Sequence, residues 1–230
     1  VTQFVMTRAS GELLASQEFS TSFDATENPL GAPWIAPLAA GFTVMRSSDG
    51  HAYGTNGITD TYDDSYAYLS GFNPTSHECE LIVYKQGTIP AVTHEIELHC
   101  GMSDDADTDI VKSYEALLDS GGSLQLMKWN GTYASGAFFF ALDGSGPGWG
   151  GVTQHGEKMR LRKVNSGGNV ILTIWKTPVG EAEVQVFTAT DDGTVGGPPH
   201  LGGQPGIAAF YRPGANQVNY GAQSYIARNV

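Results

Sequence analysis

Apolar and polar residues alternate along most of this chain, and turn residues cut the alternation into short lengths. Twelve stretches read as strands. They are residues 40–47 (AGFTVMRS), 66–72 (YAYLSGF), 79–85 (CELIVYK), 93–100 (THEIELHC), 113–119 (SYEALLD) and 123–129 (SLQLMKW). The remainder are 137–142 (AFFFAL), 157–164 (EKMRLRKV), 169–176 (NVILTIWK), 182–189 (AEVQVFTA), 206–212 (GIAAFYR) and 220–227 (YGAQSYIA). Period-two alternation puts successive side chains on opposite faces of a strand. Short strands separated by Gly, Pro, Asn and Asp predict a β-sandwich or barrel. Sustained helical periodicity is absent, and a helical turn is expected only near residues 60–64. No repeat at a fixed spacing stands out.

Two of these strands can be read in register. Folded as a hairpin around KQGTIPAV, CELIVYK and THEIELHC bring Cys79 opposite Cys100, Leu81 opposite Leu98 and Val83 opposite Ile96 on one face. The other face then carries Glu80 against His99, Ile82 against Glu97 and Tyr84 against Glu95. Cys79 and Cys100 are the only cysteines. Directly opposed, they make a candidate disulfide of an oxidising compartment; two buried free thiols on a core face are the alternative.

Composition narrows the partners. The chain of 230 residues is long enough for one large domain, and 40% of its residues are hydrophobic. Its net charge of −12 opposes binding to nucleic acid or an anionic membrane. No apolar run is long enough for a transmembrane helix, so membrane insertion is not expected. The opening VTQFVMTRASGELLAS lacks a basic start followed by an apolar block, so no signal peptide is expected within it.

Several segments resemble a known family. EFSTSFDATENPLGAPWIAP (18–37), AYGTNG (52–57), SYEALLDSGGSLQLMKWNG (113–131), MRLRKVNSGGNVILTIWK (159–176) and GQPGIAAFY (203–211) resemble, in order and spacing, concanavalin A-like, laminin-G-like jelly-roll domains. The likeness runs from about Glu18 to Val230. It implies an all-β fold, a two-sheet antiparallel jelly-roll sandwich. Residues 1–18 read as an N-terminal extension or edge strand and 19–230 as one jelly-roll domain. Such sandwiches include lectins, glycan-binding modules, laminarinase-like hydrolases and polysaccharide lyases, so the fold does not fix the activity.

Acidic and basic side chains supply the first candidate sites. Glu95, Glu97 and His99 lie on one face of a strand. Glu95-Ile96-Glu97 resembles the first half of the laminarinase-type catalytic strand, but Leu98, His99 and Cys100 supply no third carboxylate. Neighbouring same-face carboxyls can reach the ~5–5.5 Å of a retaining hydrolase. Alternating Glu is equally the wet side of an ordinary strand, with His99 paired to Glu80. Arg160 and Arg162 alternate on another strand and suit a uronate carboxylate. The Gln-Ile-His triplet of alginate-type lyases is missing, although Tyr211-Arg212-Pro213-Gly214 superficially resembles their last motif.

Asp104, Asp105, Asp107 and Asp109 crowd oxygen ligands into seven residues, which suits a structural Ca²⁺; a solvated acidic loop is the alternative. Asp191 and Asp192 form a weaker pair. Flat aromatics suit apolar sugar faces. Trp149, in the open loop SGPGWGG, with Trp129 and Tyr84, makes a candidate ligand-binding set, whereas Trp34 and Trp175 read as core. Asn130-Gly131-Thr132 fits a glycosylation sequon but also a plain turn. No zinc spacing, nucleophile elbow or phosphate loop is present.

These features together point to a non-catalytic glycan-binding, adhesion or structural module. Its expected location is extracellular, on a cell surface or on a virion or other particle, with carbohydrate or neighbouring protein subunits as partners. The alternatives are a polysaccharide-active enzyme using Glu95 and Glu97, or a viral or filament structural protein.

Overall fold

A computed structural model describes residues 3–5, 17–55, 64–72, 75–87, 89, 94–133, 139–142, 148–211 and 217–230. The expected helical turn near 60–64 and the motif residues Arg212, Pro213 and Gly214 fall outside them, Asp64 excepted. The strands are β1 (Gln3–Val5), β2 (Glu18–Thr21), β3 (Trp34–Ile35), β4 (Thr43–Ser48), β5 (His51–Gly54) and β6 (Ser65–Leu69). Next come β7 (His77–Lys85), β8 (His94–Asp105), β9 (Ile110–Asp119), β10 (Leu124–Thr132) and β11 (Phe139–Ala141). The chain closes with β12 (Lys158–Ser166), β13 (Asn169–Thr177), β14 (Val184–Asp191), β15 (Gln204–Tyr211) and β16 (Tyr220–Asn229).

The strands form a jelly-roll sandwich. Its front sheet runs β11-β10-β9-β8-β15-β6, with β3 on β6. Its back sheet runs β5-β16-β7-β12-β13-β14, with β2 on β16 and β1 on β2. β4 joins the layers, pairing antiparallel with β5 and in parallel with β6 through Thr43 and Val44. Alternation sets the inward faces. Leu81 and Val83 of β7, Ile96 and Leu98 of β8, Met159 and Leu161 of β12, and Val170, Leu172 and Ile174 of β13 are fully buried in one core. Each such side chain contributes roughly 1.5–3 kcal/mol relative to exposure.

The hairpin expected of β7 and β8 is not formed. β7 lies between β16 and β12 in the back sheet, with Leu81 opposite Tyr225 and Met159. β8 lies between β15 and β9 in the front sheet, with Leu98 opposite Ile207 and Ala116. The greasy faces of the two strands are those expected, but they meet across the core and not along a ladder. Period two fixes which side of a strand is buried; it does not name the neighbouring strand. Cys79 and Cys100 consequently face each other between the sheets, with their sulfurs 3.5 Å apart as free thiols.

A bulge in β8 between Cys100 and Ser103 reverses the facing of the strand beyond it. His99 and Met102 thereby share the outer face of the front sheet, while Cys100 points into the core. The bulge sits where Gly203 crosses the chain: a Cβ on Gly203, at φ 93°, would fall inside the Gly101 backbone.

Candidate functional site

The outer face of the front sheet is not the wet surface that alternation suggests. It carries a second apolar cluster of Ala39, Tyr66, Tyr68, Met102, Val111, Trp129 and Ala208, with Phe42, Met127 and Tyr133 packed against it. Phe42 stacks on Trp129, with ring centroids 5.6 Å apart, and sets its edge against Tyr66 at 5.1 Å and Tyr133 at 5.5 Å. The segment that brings Phe42 here is tied down by two aspartates. Asp104 accepts the Leu38 and Ala39 backbone N–H groups at 2.6 and 2.9 Å and the Tyr66 hydroxyl at 2.7 Å. Asp109 accepts the Ala40 N–H at 2.9 Å.

Beneath this cover lies a polar chain. His99 of β8 stands opposite Glu115 of β9, and Ser113 of β9 opposite Trp129 of β10. His99 Nδ1 is 2.9 Å from Ser113 Oγ, and its Nε2 is 3.2 Å from Glu97 Oε2. Trp129 sets its edge on the His99 ring at 4.8 Å and donates its Nε1–H to Glu115 Oε2. All of these side chains are buried, Glu97 at 1% exposure and Glu115 at 4%.

Burial decides their charge. It pushes the Glu97 carboxyl well above the usual carboxylate range, and nearby Glu115, Asp64 and Glu95 add to the rise. Burial likewise lifts Glu115 to about 7, against the opposing pull of the Trp129 hydrogen bond. Burial lowers His99 to about 3. At neutral pH, then, Glu97 keeps its proton and His99 is neutral. Glu97 Oε2–H donates to His99 Nε2, and His99 Nδ1–H donates to Ser113 Oγ. The Ser113 hydroxyl donates onward to the Cys100 carbonyl at 3.4 Å. Glu97 Oε1 is buried with no hydrogen-bond partner.

Two clefts open to solvent near Asp104, the larger against the side of β8 and β9 that carries Ser103 and Lys112, the smaller against the outer face that carries Tyr68 and Met102. The larger, about 540 Å³, is lined by Ser103, Asp104, Asp105, Thr108, Ile110 and Lys112, among others. The smaller, about 270 Å³, is lined by Tyr68, Met102, Ser103, Asp104, Gly203 and Gln204.

The residues singled out in the sequence are scattered over three surfaces. Glu95, Glu97 and His99 do share a face, but Glu97 and His99 are sealed off, and the carboxylate that couples most strongly to Glu97 is Glu115. Trp149 is not an exposed platform: it is 2% exposed and donates Nε1–H to Glu157 at 2.8 Å. Lys176 lies over its ring at 4.9 Å, and the indole packs into the core between Gly148 and Gly150, both at left-handed φ. Trp129 is equally buried, its ring covered by Phe42.

Tyr84, Arg160 and Arg162 lie on the back sheet, away from the clefts. Tyr84 stacks on His51 at 3.7 Å. Arg160 and Arg162 both hold Glu78, at 2.8 and 2.6 Å, and Arg160 also holds Glu183. Trp175, expected in the core, instead lies half-buried under the Arg160 guanidinium at 3.8 Å.

The acidic run does not gather around one point. Asp104 and Asp109 face the 38–40 backbone, and Asp105 accepts the Asp107 N–H at 2.9 Å. Among the described residues no group of three His, Cys, Asp or Glu side chains is placed to hold a metal ion. Asp191 is buried against Lys128 at 2.8 Å and the Tyr114 hydroxyl at 2.6 Å. Ser113, Glu115 and Phe42 are site residues that sequence reasoning misses, whereas Tyr66 and Tyr68 belong to the tyrosine-rich run YDDSYAY that it offers as a sugar platform. The alternating Ser113 and Glu115 in SYEALLD carry the same signal as Glu95 and Glu97.

No family model matches the chain, and no curated protein matches it. Among solved structures, the carbohydrate-binding module CBM66 from Bacillus subtilis is similar at TM-score 0.49 and 14% identity, over 86% of this chain and 93% of that one. Peanut lectin bound to a nine-residue peptide is similar at TM-score 0.49 and 8% identity, over 94% and 97%. A protein described among endo-acting O-glycanases that members of the human gut microbiota express to initiate mucin breakdown gives TM-score 0.44 and 11% identity, over 92% and 98%. Likenesses at this level do not carry a function from one protein to another.

Proposed function

We propose that this chain is a glycan-binding module whose contact surface is the outer face of the front sheet, at the cleft between Tyr68, Asp104 and Gln204. The observation that carries the reading is an open polar cleft that meets an aromatic cluster on one rigid sheet face, Tyr68 and Met102 belonging to both. Sugar recognition needs hydroxyl partners and flat apolar area together. Asp104 and Gln204 supply the first, and the half-buried Phe42 and Tyr133 at the surface of the cluster supply the second. On this reading the module works outside the cell, on a cell surface or a particle, where polymeric glycans are met.

Binding is favoured over hydrolysis by the state of the acids. A retaining hydrolase needs an ionised carboxylate facing the scissile bond. Glu97 and Glu115 are both displaced toward the protonated form by burial, and both lie beneath Trp129 and Phe42 rather than in the clefts.

The test is electrophoresis of the parent through gels containing neutral β-glucans, uronans or mucin-type glycans. At least one polymer should retard the parent. Gln204→Ala, in the cleft, and Tyr133→Ala, on the aromatic cluster, should each reduce the retardation at least about fivefold. Retardation by no polymer, or undiminished in both variants, would defeat the reading. Release of reducing ends by the parent, abolished in Glu97→Gln, would replace it with the hydrolase.

A further inference from the structure

Cys79 on the back sheet and Cys100 on the front sheet meet across the core, sulfur to sulfur at 3.5 Å, and neither side chain is more than 1% exposed. Cys79 donates toward the His99 carbonyl at 3.4 Å and Cys100 toward the Leu161 carbonyl at 3.8 Å. Beside Cys100, His77 Nε2 accepts the Gly101 N–H at 3.1 Å. Lys163 is buried there too, with Nζ donating to the Thr75 and Leu201 carbonyls at 2.9 and 3.2 Å. Its chain passes so near Gly101 that a Cβ there would lie 3.1 Å from Lys163 Cε. The pocket that holds both sulfurs thus also holds a lysine and a histidine, with the lysine chain against Gly101, the residue after Cys100.

We propose that this pair is an oxidation site: a small hydroperoxide converts the two thiols into a disulfide that staples the sheets together, with Cys100 the attacking sulfur. In the first step the Cys100 thiolate attacks the hydroperoxide. The S–O bond forms, the O–O bond breaks, and the departing oxide takes up the proton that Cys100 lost. Cys100 is left as a sulfenic acid. In the second step Cys79 sulfur attacks Cys100 sulfur. The S–S bond forms, the S–O bond breaks, and hydroxide leaves as water with the Cys79 proton. Two thiols are oxidised by two electrons in all, and one hydroperoxide is reduced to an alcohol, or to water if it is hydrogen peroxide, plus one water.

Geometry and charge favour this order. Burial opposes ionisation of Cys100, but the Cys79 thiol, His77 and Lys163 outweigh it and bring the thiol below its ordinary value. Burial pushes Cys79 well up. A bonded pair needs about 2.05 Å, so the sulfurs must close by about 1.5 Å. Their lack of exposure selects a peroxide over a bulky disulfide as oxidant. The staple is also distinct from the hairpin bridge expected from the sequence, because it ties one layer to the other.

The test is exposure of the folded parent to hydrogen peroxide, followed by intact mass, alkylation of thiols in denaturant, and a thermal melt. The parent should lose about 2 Da as both thiols disappear together. Its Tm should rise roughly 5–10 °C, and dithiothreitol should reverse both changes. Cys79→Ser should stop at a dimedone-reactive sulfenic acid on Cys100, and Cys100→Ser should leave Cys79 at least about tenfold slower to react. A parent that gains oxygen without losing hydrogens would overturn the proposal, as would thiols that oxidise only at the rate of global unfolding. Equal rates in the two serine variants would overturn the role given to Cys100.

Discussion

Glu97 Oε2 lies 3.2 Å from His99 Nε2, yet the contact is a neutral hydrogen bond and not an ion pair. Burial raises the acid and lowers the base, so the proton stays on the carboxyl. Dry polar chains of this kind are sensitive to any change that adds charge.

Proton linkage should expose the states of this chain. Glu115, raised to about 7 in the fold, has a value of about 4.3 when unfolded. Its contribution is fully present below about pH 4.3 and is lost as the pH rises through 7. His99 has the opposite sign. Lowered to about 3 from about 6.5, its contribution is present above pH 6.5 and lost as the pH falls toward 3. Relative to the parent, Glu115→Gln should therefore gain up to about 1.4 kcal/mol per pH unit between pH 4.3 and 7, and His99→Asn should lose at a similar rate between pH 3 and 6.5. Urea unfolding of all three proteins at matched pH reads the differences. Differences independent of pH would contradict the assignment.

Asp104 should matter to the fold through its neighbours, not through a cation. Asp104→Ala leaves the Leu38 and Ala39 N–H groups and the Tyr66 hydroxyl without their acceptor, at a cost of about 1–3 kcal/mol. Hydrogen exchange at residues 38–40 should accelerate, and millimolar Ca²⁺ should leave the parent's Tm unchanged. A calcium-dependent Tm that vanishes in the variant would restore the metal reading of the acidic run.

Arg162 should prove dispensable for glycan retention. It is over a third exposed and holds Glu78 beside Arg160 on the back sheet. Arg162→Ala should cost no more than about 1 kcal/mol, as exposed pairs do, and should leave gel retardation unchanged. Weakened retardation would move the contact surface to the other sheet.

Gly203 should tolerate no side chain. Gly203→Ala places a methyl into the Gly101 backbone at a left-handed φ, so stability should fall by about 3 kcal/mol or more. Because the bulge aims Met102 and Asp104, hydrogen exchange at residues 38–40 should rise in this variant as well. An unchanged midpoint would mean the crossing can relax.

How much of the fold is legible in the chain is set by local physics. Leu81, Val83, Ile96 and Leu98 are inward because alternation alone decides which side of a strand is greasy. Their partners are not legible, since the same pattern suits a neighbour in the ladder or a strand across the core. Glu97 and His99 read as exposed because nothing near them in sequence says otherwise. His99 lies under Trp129, Phe42 covers Trp129, and the 38–40 backbone just before Phe42 is held by Asp104 from 66 and 65 residues away. The same distance hides the role of the acidic run: the carboxylates are adjacent in sequence, and the groups they bind are not. Trp149 sits among glycines, and that freedom turns it inward onto Glu157.

β4 is woven into both layers, with Met45 paired to Gly54 behind and Val44 to Tyr66 in front. Such a seam denies either sheet an independent melting step, because peeling one away strips hydrogen bonds from the strand that anchors the other. Thermal unfolding should accordingly trace one sharp, all-or-none transition, with matching midpoints from near-ultraviolet and far-ultraviolet signals.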